Sequence, residues 1–322
     1  MPAEPSSHRP PAPAPRGAAR LAALAAAVLL AGSVLAGCGS SGDGAAPGQL
    51  RVVASFYPLQ WMAEQVGGDH VHVTSLTKPG AEPHDLELSP RDVGAVQDAD
   101  VIAYLSGFQP SVDTAVADAG SGTIFDAKEA ADLDLTFNPI EDGQRSETGT
   151  TDPHFWLDPI RMSKVTGAFA AAMAGADPVH AADYRTNAKV LDARLADLDH
   201  DLETGLADCA SKDLVTSHNA FGYLARRYGL EQVPVTGLTP EEEPSPSDLA
   251  TVSDFVAAHD VKTIYFETLI SPDIAKTVAR ETGARTDVLD PIEGLNDRSQ
   301  GSDYLEVMQA NLRNLRKGQP CR

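Results

Sequence analysis

Four residues in this chain combine metal-binding chemistry with rigid placement: His84 in PGAEPHD, His154 in DPHFWLDP, His218 in TSHNAF and Asp290 in VLDP. Each lies in a loop or at a strand end, and prolines stand beside three of them. Pro153 and Pro159 flank the His154 segment and fix its backbone, so the imidazole is aimed by loop geometry. Three imidazoles and one carboxylate form a borderline-soft, roughly tetrahedral set that suits zinc, with manganese or iron(II) less well matched. Neutral imidazole is the binding form, so affinity should fall as pH drops through the histidine range. A competing reading makes His154 a buried structural histidine beside Trp156, and no local H-x-x-x-H spacing argues against it. The remaining histidines past the N-terminal leader have ordinary explanations. His70 and His72 read as exposed or edge positions near a strand, while His180, His200 and His259 sit among helical charged residues.

The elements that must position these groups alternate between strand and helix. Strands are predicted at Leu50 to Phe56, Val71 to Leu76, Val101 to Tyr104 and Thr123 to Asp126. Helical stretches at Gln60 to Val66, Pro90 to Val96 and Ser111 to Ala119 fill the gaps. The beat returns with strands at Leu214 to Ser217, Gln232 to Thr236, Thr263 to Glu267 and Thr286 to Leu289. The fold class is therefore α/β: two lobes, each a mostly parallel four-stranded sheet flanked by helices. Ser89-Pro90-Arg91-Asp92 and Ser245-Pro246-Ser247-Asp248 carry helix-start signals, and Ser271-Pro272 repeats half of one.

Between the lobes, Tyr184, Ala188, Leu191, Leu195, Leu198, Leu202 and Leu206 recur at spacings of three and four. One helix over roughly residues 178–208 with one apolar stripe accounts for them. Its length, about 43 Å at 1.5 Å per residue, exceeds a small lobe and suits a rigid connector. A dimeric coiled coil is the alternative use of such a stripe, but it is barely four heptads long and a monomer is expected. The domains are then an N-terminal lobe over 50–177, the linking helix and a C-terminal lobe over 209–322. Ligands collect at the carboxyl ends of strands in such layers, so a site built from both lobes lies in the cleft.

Ahead of residue 50 the sequence reads as a leader. Arg16 and Arg20 precede an apolar run from Leu21 to about Ala36, short for a membrane span and ending in small residues before Cys38. The L-A-G-C end resembles the lipobox of bacterial lipoproteins, which implies a signal peptide over 1–37 and a lipid on Cys38. Residues 39–48 (GSSGDGAAPG) then read as a flexible tether. Loss of residues 1–37 removes Arg9, Arg16, Arg20 and Glu4, a net +2, so the formal charge of −21 becomes −23. Such a surface repels nucleic acid and anionic lipid and draws cations. If Cys38 carries lipid, Cys209 and Cys321 remain to pair as a disulfide in an oxidising compartment, with two free thiols as the alternative.

The strings PGAEPHDLELSP, DPHFWLDP, TSHNAFGYLARRYGL, GLTPEEEPS and VLDP resemble, in order, the motifs of the metal-specific substrate-binding lipoproteins of ABC importers. The match covers most of the chain from about residue 50. The resemblance implies two α/β lobes on one long helix, and an extracytoplasmic, membrane-anchored receptor that passes its metal to an ABC importer permease. It also implies ligands at His84, His154, His218 and Asp290. Manganese-preferring members tend to carry a carboxylate at the third position, so His218 favours zinc; Glu267 is then a supporting group or an alternative carboxylate. Two departures stand out. Residues 138–151 hold none of the histidines common in that loop, and Asp152 replaces the usual asparagine. Two other functions use the same residues: a zinc hydrolase with Glu267 as base, which needs an open coordination position, and an adhesin in which the metal is structural.

Overall fold

The computed structural model describes residues 45–137, 140–141, 144–145 and 149–322. The expected leader, Cys38 and most of the tether lie outside the described residues, as does part of the polar loop before Asp152. Among the described residues, no helix is long and apolar enough to cross a membrane.

In the first lobe the strands are β1 (Leu50–Ala54), β2 (Val71–Ser75), β3 (Val101–Tyr104) and β4 (Thr123–Asp126). They form one parallel sheet in the order β2-β1-β3-β4. Both faces are covered, as parallel sheets require: Val52 and Ala54 enter one apolar cluster while Val53 and Ile102 enter another on the opposite side. The second lobe repeats the plan with β5 (Asp213–Thr216), β6 (Glu231–Pro234), β7 (Thr263–Phe266) and β8 (Arg285–Val288). Its order is β6-β5-β7-β8, again parallel throughout.

Helices α1 (Tyr57–Gly67), α2 (Pro90–Asp98) and α3 (Pro110–Ala117) occupy the predicted gaps. Ser89 and Ser245 both close complete capping boxes, each with an acid three residues on. The segment Pro159–Ala176, for which no helix was predicted, forms helix α4, capped by Asp158 through the N–H groups of Ile160 and Arg161. Its run of alanine and glycine carries little contrast between faces, so periodicity does not reveal it.

The connecting helix α5 runs over Ala181–Leu206, 26 residues or about 39 Å. Every residue of its apolar stripe is buried. The stripe joins a single core that reaches from Phe56 and Trp156 to Tyr304 and Leu315, the last two on the C-terminal helix Tyr304–Gly318. The stripe is thus covered within the chain. Cys209 and Cys321 are joined, fastening the segment after α5 to the residues after that last helix.

Candidate metal centre

Each histidine of the cluster is held from behind. His84 lies in the loop between β2 and α2, where Gln109 Nε2 donates to the Pro83 carbonyl at 3.0 Å and to Thr77 Oγ1 at 3.1 Å. The His84 backbone N–H donates to Glu82 Oε2 at 2.8 Å, and the ring packs edge-on against Phe108, 4.6 Å between centroids. His154 opens a short 3-10 turn, Phe155–Leu157. Asp152, the acid at the usual asparagine position, does not face water: it is buried and faces His154 Nδ1 at 2.8 Å. His218 follows β5, and its Nδ1 lies 2.6 Å from Glu267 Oε1, which also accepts from Ser217 Oγ. Glu267 is therefore a supporting group, facing the side of the ring away from the cluster.

Buttressing of Nδ1 by a carboxylate fixes ring orientation and leaves Nε2 as the free coordinating nitrogen. All three Nε2 atoms converge on Glu293 Oε1: 3.1 Å from His154, 3.4 Å from His84 and 3.5 Å from His218. One ligand atom from each of these four buried residues lies within 4.8 Å of all the others. Asp290, the expected fourth ligand, stands outside this group. Its Oδ2 accepts from Thr268 Oγ1 at 2.9 Å and its Oδ1 from the Ile292 N–H at 2.8 Å. The carboxylate comes from Glu293, three residues on. A glutamate set between Ile292 and Gly294-Leu295 was the available sequence signal, since acids in apolar surroundings are rarely buried without a partner.

The electrostatics match a site built for a cation. Burial alone would push the His154 and His218 imidazoles down, but neighbouring carboxylates outweigh it. Asp152 and Glu293 raise His154, and Glu267 with Glu293 raises His218 well above the ordinary value. Burial opposes ionisation of Glu293, yet the three imidazoles hold its carboxyl well below the usual range. His218 Nε2 and Glu293 Oε2 are buried with no hydrogen-bond partner, the condition a coordinated ion would satisfy.

The geometry agrees with the chemistry. A tetrahedron with arms of about 2.0–2.1 Å, the length of zinc–nitrogen and zinc–oxygen bonds, has edges of roughly 3.3–3.4 Å. The three separations from Glu293 Oε1 centre on that edge. Two fused α/β lobes with three imidazoles and one carboxylate buried between them define a metal-binding receptor of the two-lobed solute-binding type.

Sequence and structural comparisons narrow the class. Residues 52–318 match the family described as zinc-uptake complex component A, periplasmic. The chain belongs to this family. It is 36% identical over 288 residues to the high-affinity zinc uptake system protein ZnuA of Bacillus subtilis, covering 85% of this chain and 90% of that protein. It is also 36% identical over 292 residues to the zinc-binding protein AdcA of Streptococcus pyogenes, covering 84% of this chain and 56% of AdcA. The chain thus spans a little over half of AdcA's length. Among solved structures, the laminin-binding protein Lmb of Streptococcus agalactiae superposes with a TM-score of 0.74 at 33% identity, covering 84% of this chain and 99% of Lmb. The Zn(II)-bound ZnuA-like domain of Streptococcus pneumoniae AdcA gives 0.70 at 33% identity, with coverage of 84% and 99%.

Proposed function

We propose that this protein is an extracytoplasmic solute-binding receptor that captures Zn2+ and delivers it to an ABC importer permease. The ligands in this reading are His84, His154, His218 and Glu293. The observation that carries it is the convergence of three Nε2 atoms, two of them on imidazoles buttressed at Nδ1 by Asp152 and Glu267, on one buried glutamate oxygen at 3.1–3.5 Å. Four protein ligands close the coordination sphere, leaving no position for a reactive water, so the metal is cargo and not a catalyst. Glu267, the base a hydrolase would need, is occupied on His218 Nδ1.

Around this core we place a signal peptide over residues 1–37, a lipid on Cys38 and a tether to residue 49. That arrangement holds the receptor at the outer face of the cell membrane as a monomer. The zinc-uptake names of the relatives support the choice of zinc over manganese, as does the imidazole at His218.

Elemental analysis with competitive titration of zinc and manganese on the fragment beginning after Cys38 tests the reading. One zinc per chain is expected, held well ahead of manganese and released by chelators without unfolding. A preference for manganese would overturn the zinc assignment, and unfolding on chelation would point to a structural metal.

A further inference from the structure

The turn that delivers Glu293 is strained. Between Asp290 and Glu293 the chain passes through Ile292 at φ 59°, the left-handed region that β-branched residues avoid. Such a conformation persists only where its surroundings over-determine it. Ile292 is fully buried, and restraints reach the turn from three directions. Asp290 Oδ1 accepts the Ile292 N–H at 2.8 Å, closing the turn from within. From the second lobe, Thr268 Oγ1 donates to Asp290 Oδ2 at 2.9 Å. Asn311 takes the Asp290 N–H at 2.9 Å and donates to its carbonyl at 2.7 Å. From the first lobe, Trp156 Nε1 donates to the Pro291 carbonyl at 2.7 Å.

Both Asp290 oxygens therefore serve the turn. Asp290 stands outside the imidazole cluster, so ligating a metal would require swinging its carboxylate away from these two donors, which loosens the restraint on Ile292. If Ile292 relaxed to an ordinary φ, the following peptide would rotate and Glu293 would leave the imidazoles. We propose that Asp290 is a positioning residue and not a metal ligand: with Trp156 it clamps the left-handed turn at Ile292, and so sets Glu293 Oε1 against His84, His154 and His218. This deepens the zinc-receptor reading and rests on it.

The test compares Asp290→Asn, Asp290→Ala, Thr268→Val and Glu293→Gln in the full chain. Zinc affinity is read by chelator competition and coordination by the d–d absorption of bound Co2+. An asparagine at 290 keeps an acceptor for the Ile292 N–H and a group to pair with the Thr268 hydroxyl. It should stay within about fivefold of the unmodified chain, the scale of one weakened hydrogen bond, with an unchanged Co2+ spectrum. Glu293→Gln should lose more than the roughly 100-fold that marks the upper end for groups acting through a ligand. Asp290→Ala should lose about tenfold or more with an altered spectrum. If that variant does not fold, Thr268→Val decides, with an expected loss of roughly fivefold. A loss in Asp290→Asn as deep as in Glu293→Gln, or full affinity in either Asp290→Ala or Thr268→Val, would overturn the proposal. Failure of the unmodified chain to bind zinc would sink the receptor reading as well, a result the variants cannot mimic.

Discussion

Asp152 grips His154 twice: its Oδ1 accepts the His154 backbone N–H at 2.9 Å and faces the ring Nδ1 at 2.8 Å. One oxygen thus sets both the turn and the ring, and the free face of the imidazole has only Nε2 to offer. Asp152→Ala should weaken zinc binding by about 10–100-fold, the cost common to carboxylates behind a ligating histidine. Asp152→Asn keeps an acceptor for Nδ1–H and should lose much less. Isothermal titration under chelator competition distinguishes the two, and equal losses would mean that charge alone is the contribution of Asp152.

Gly222 stands directly against that carboxylate. A Cβ built there would come within 2.7 Å of Asp152 Oδ2 and 3.2 Å of Leu135 Cδ1. Gly222→Ala must therefore displace Asp152 or tilt the helical segment Gly222–Arg227 that carries the glycine. The expected outcome is weaker zinc binding with the fold retained, and a variant indistinguishable in affinity would show that the contact yields without cost to His154.

His218 contributes one of the three converging imidazoles from the second lobe. His218→Ala should weaken zinc binding at least about tenfold without loss of the folded state, because the ring's bonding partners are the polar groups Glu267 and Glu293 of the site. Glu267→Gln should cost less, since the amide oxygen can still accept from Nδ1. Unchanged affinity in His218→Ala would remove it from the site.

Much of this was legible in the chain because the signals were local and redundant. The eight strands of the two main sheets announce themselves through β-branched runs between turn residues, and the stripe from Tyr184 to Leu206 is regular enough to mark one helix. His84, His154 and His218 stand out at loops and strand ends, two of them directly after proline, but their joint reading as ligands rests on the resemblance of their motifs to the metal-binding receptor family and not on local spacing. Glu293 was missed for a specific reason. Asp290 occupies the conspicuous place just after a strand, and nothing in Pro291-Ile292-Glu293 indicates that an isoleucine will take a left-handed conformation. That conformation depends on Trp156, 135 positions away, and on Thr268 and Asn311. Long-range hydrogen bonds leave no local trace in sequence.

The raised imidazoles predict opposite pH responses for the two forms of the protein. His154 and His218 lie above the ordinary 6.5 in the metal-free site. A histidine raised in this way contributes stability that is fully present below its unfolded pKa and is lost as pH rises through the folded value. The metal-free protein should therefore lose this contribution above about pH 6.5. Zinc needs the same nitrogens deprotonated, so its stabilising effect must grow over the same range. Thermal melts with and without saturating zinc between pH 6 and 8.5 should show a widening Tm gap, and a gap independent of pH would contradict proton displacement at these rings.

The pairing of Cys209 with Cys321 closes a separation of 112 residues and joins the far end of α5 to the C-terminus. Both cysteines pack against the main core. A cross-link over that length restricts the unfolded chain by an amount on the order of 4–5 kcal/mol in the chain-entropy model. Reduction, or a Cys209→Ser/Cys321→Ser double variant, should lower the denaturation midpoint of the metal-free protein. Zinc affinity should move little, because Asn311, the residue of the C-terminal helix that holds the turn at Asp290, is fixed there by its own two hydrogen bonds. Chemical denaturation of reduced and oxidised protein, each followed by a zinc titration, separates these effects. A large drop in affinity on reduction would mean that the bridge steadies the C-terminal helix and, through the Asn311 bonds to Asp290, the turn that holds Glu293.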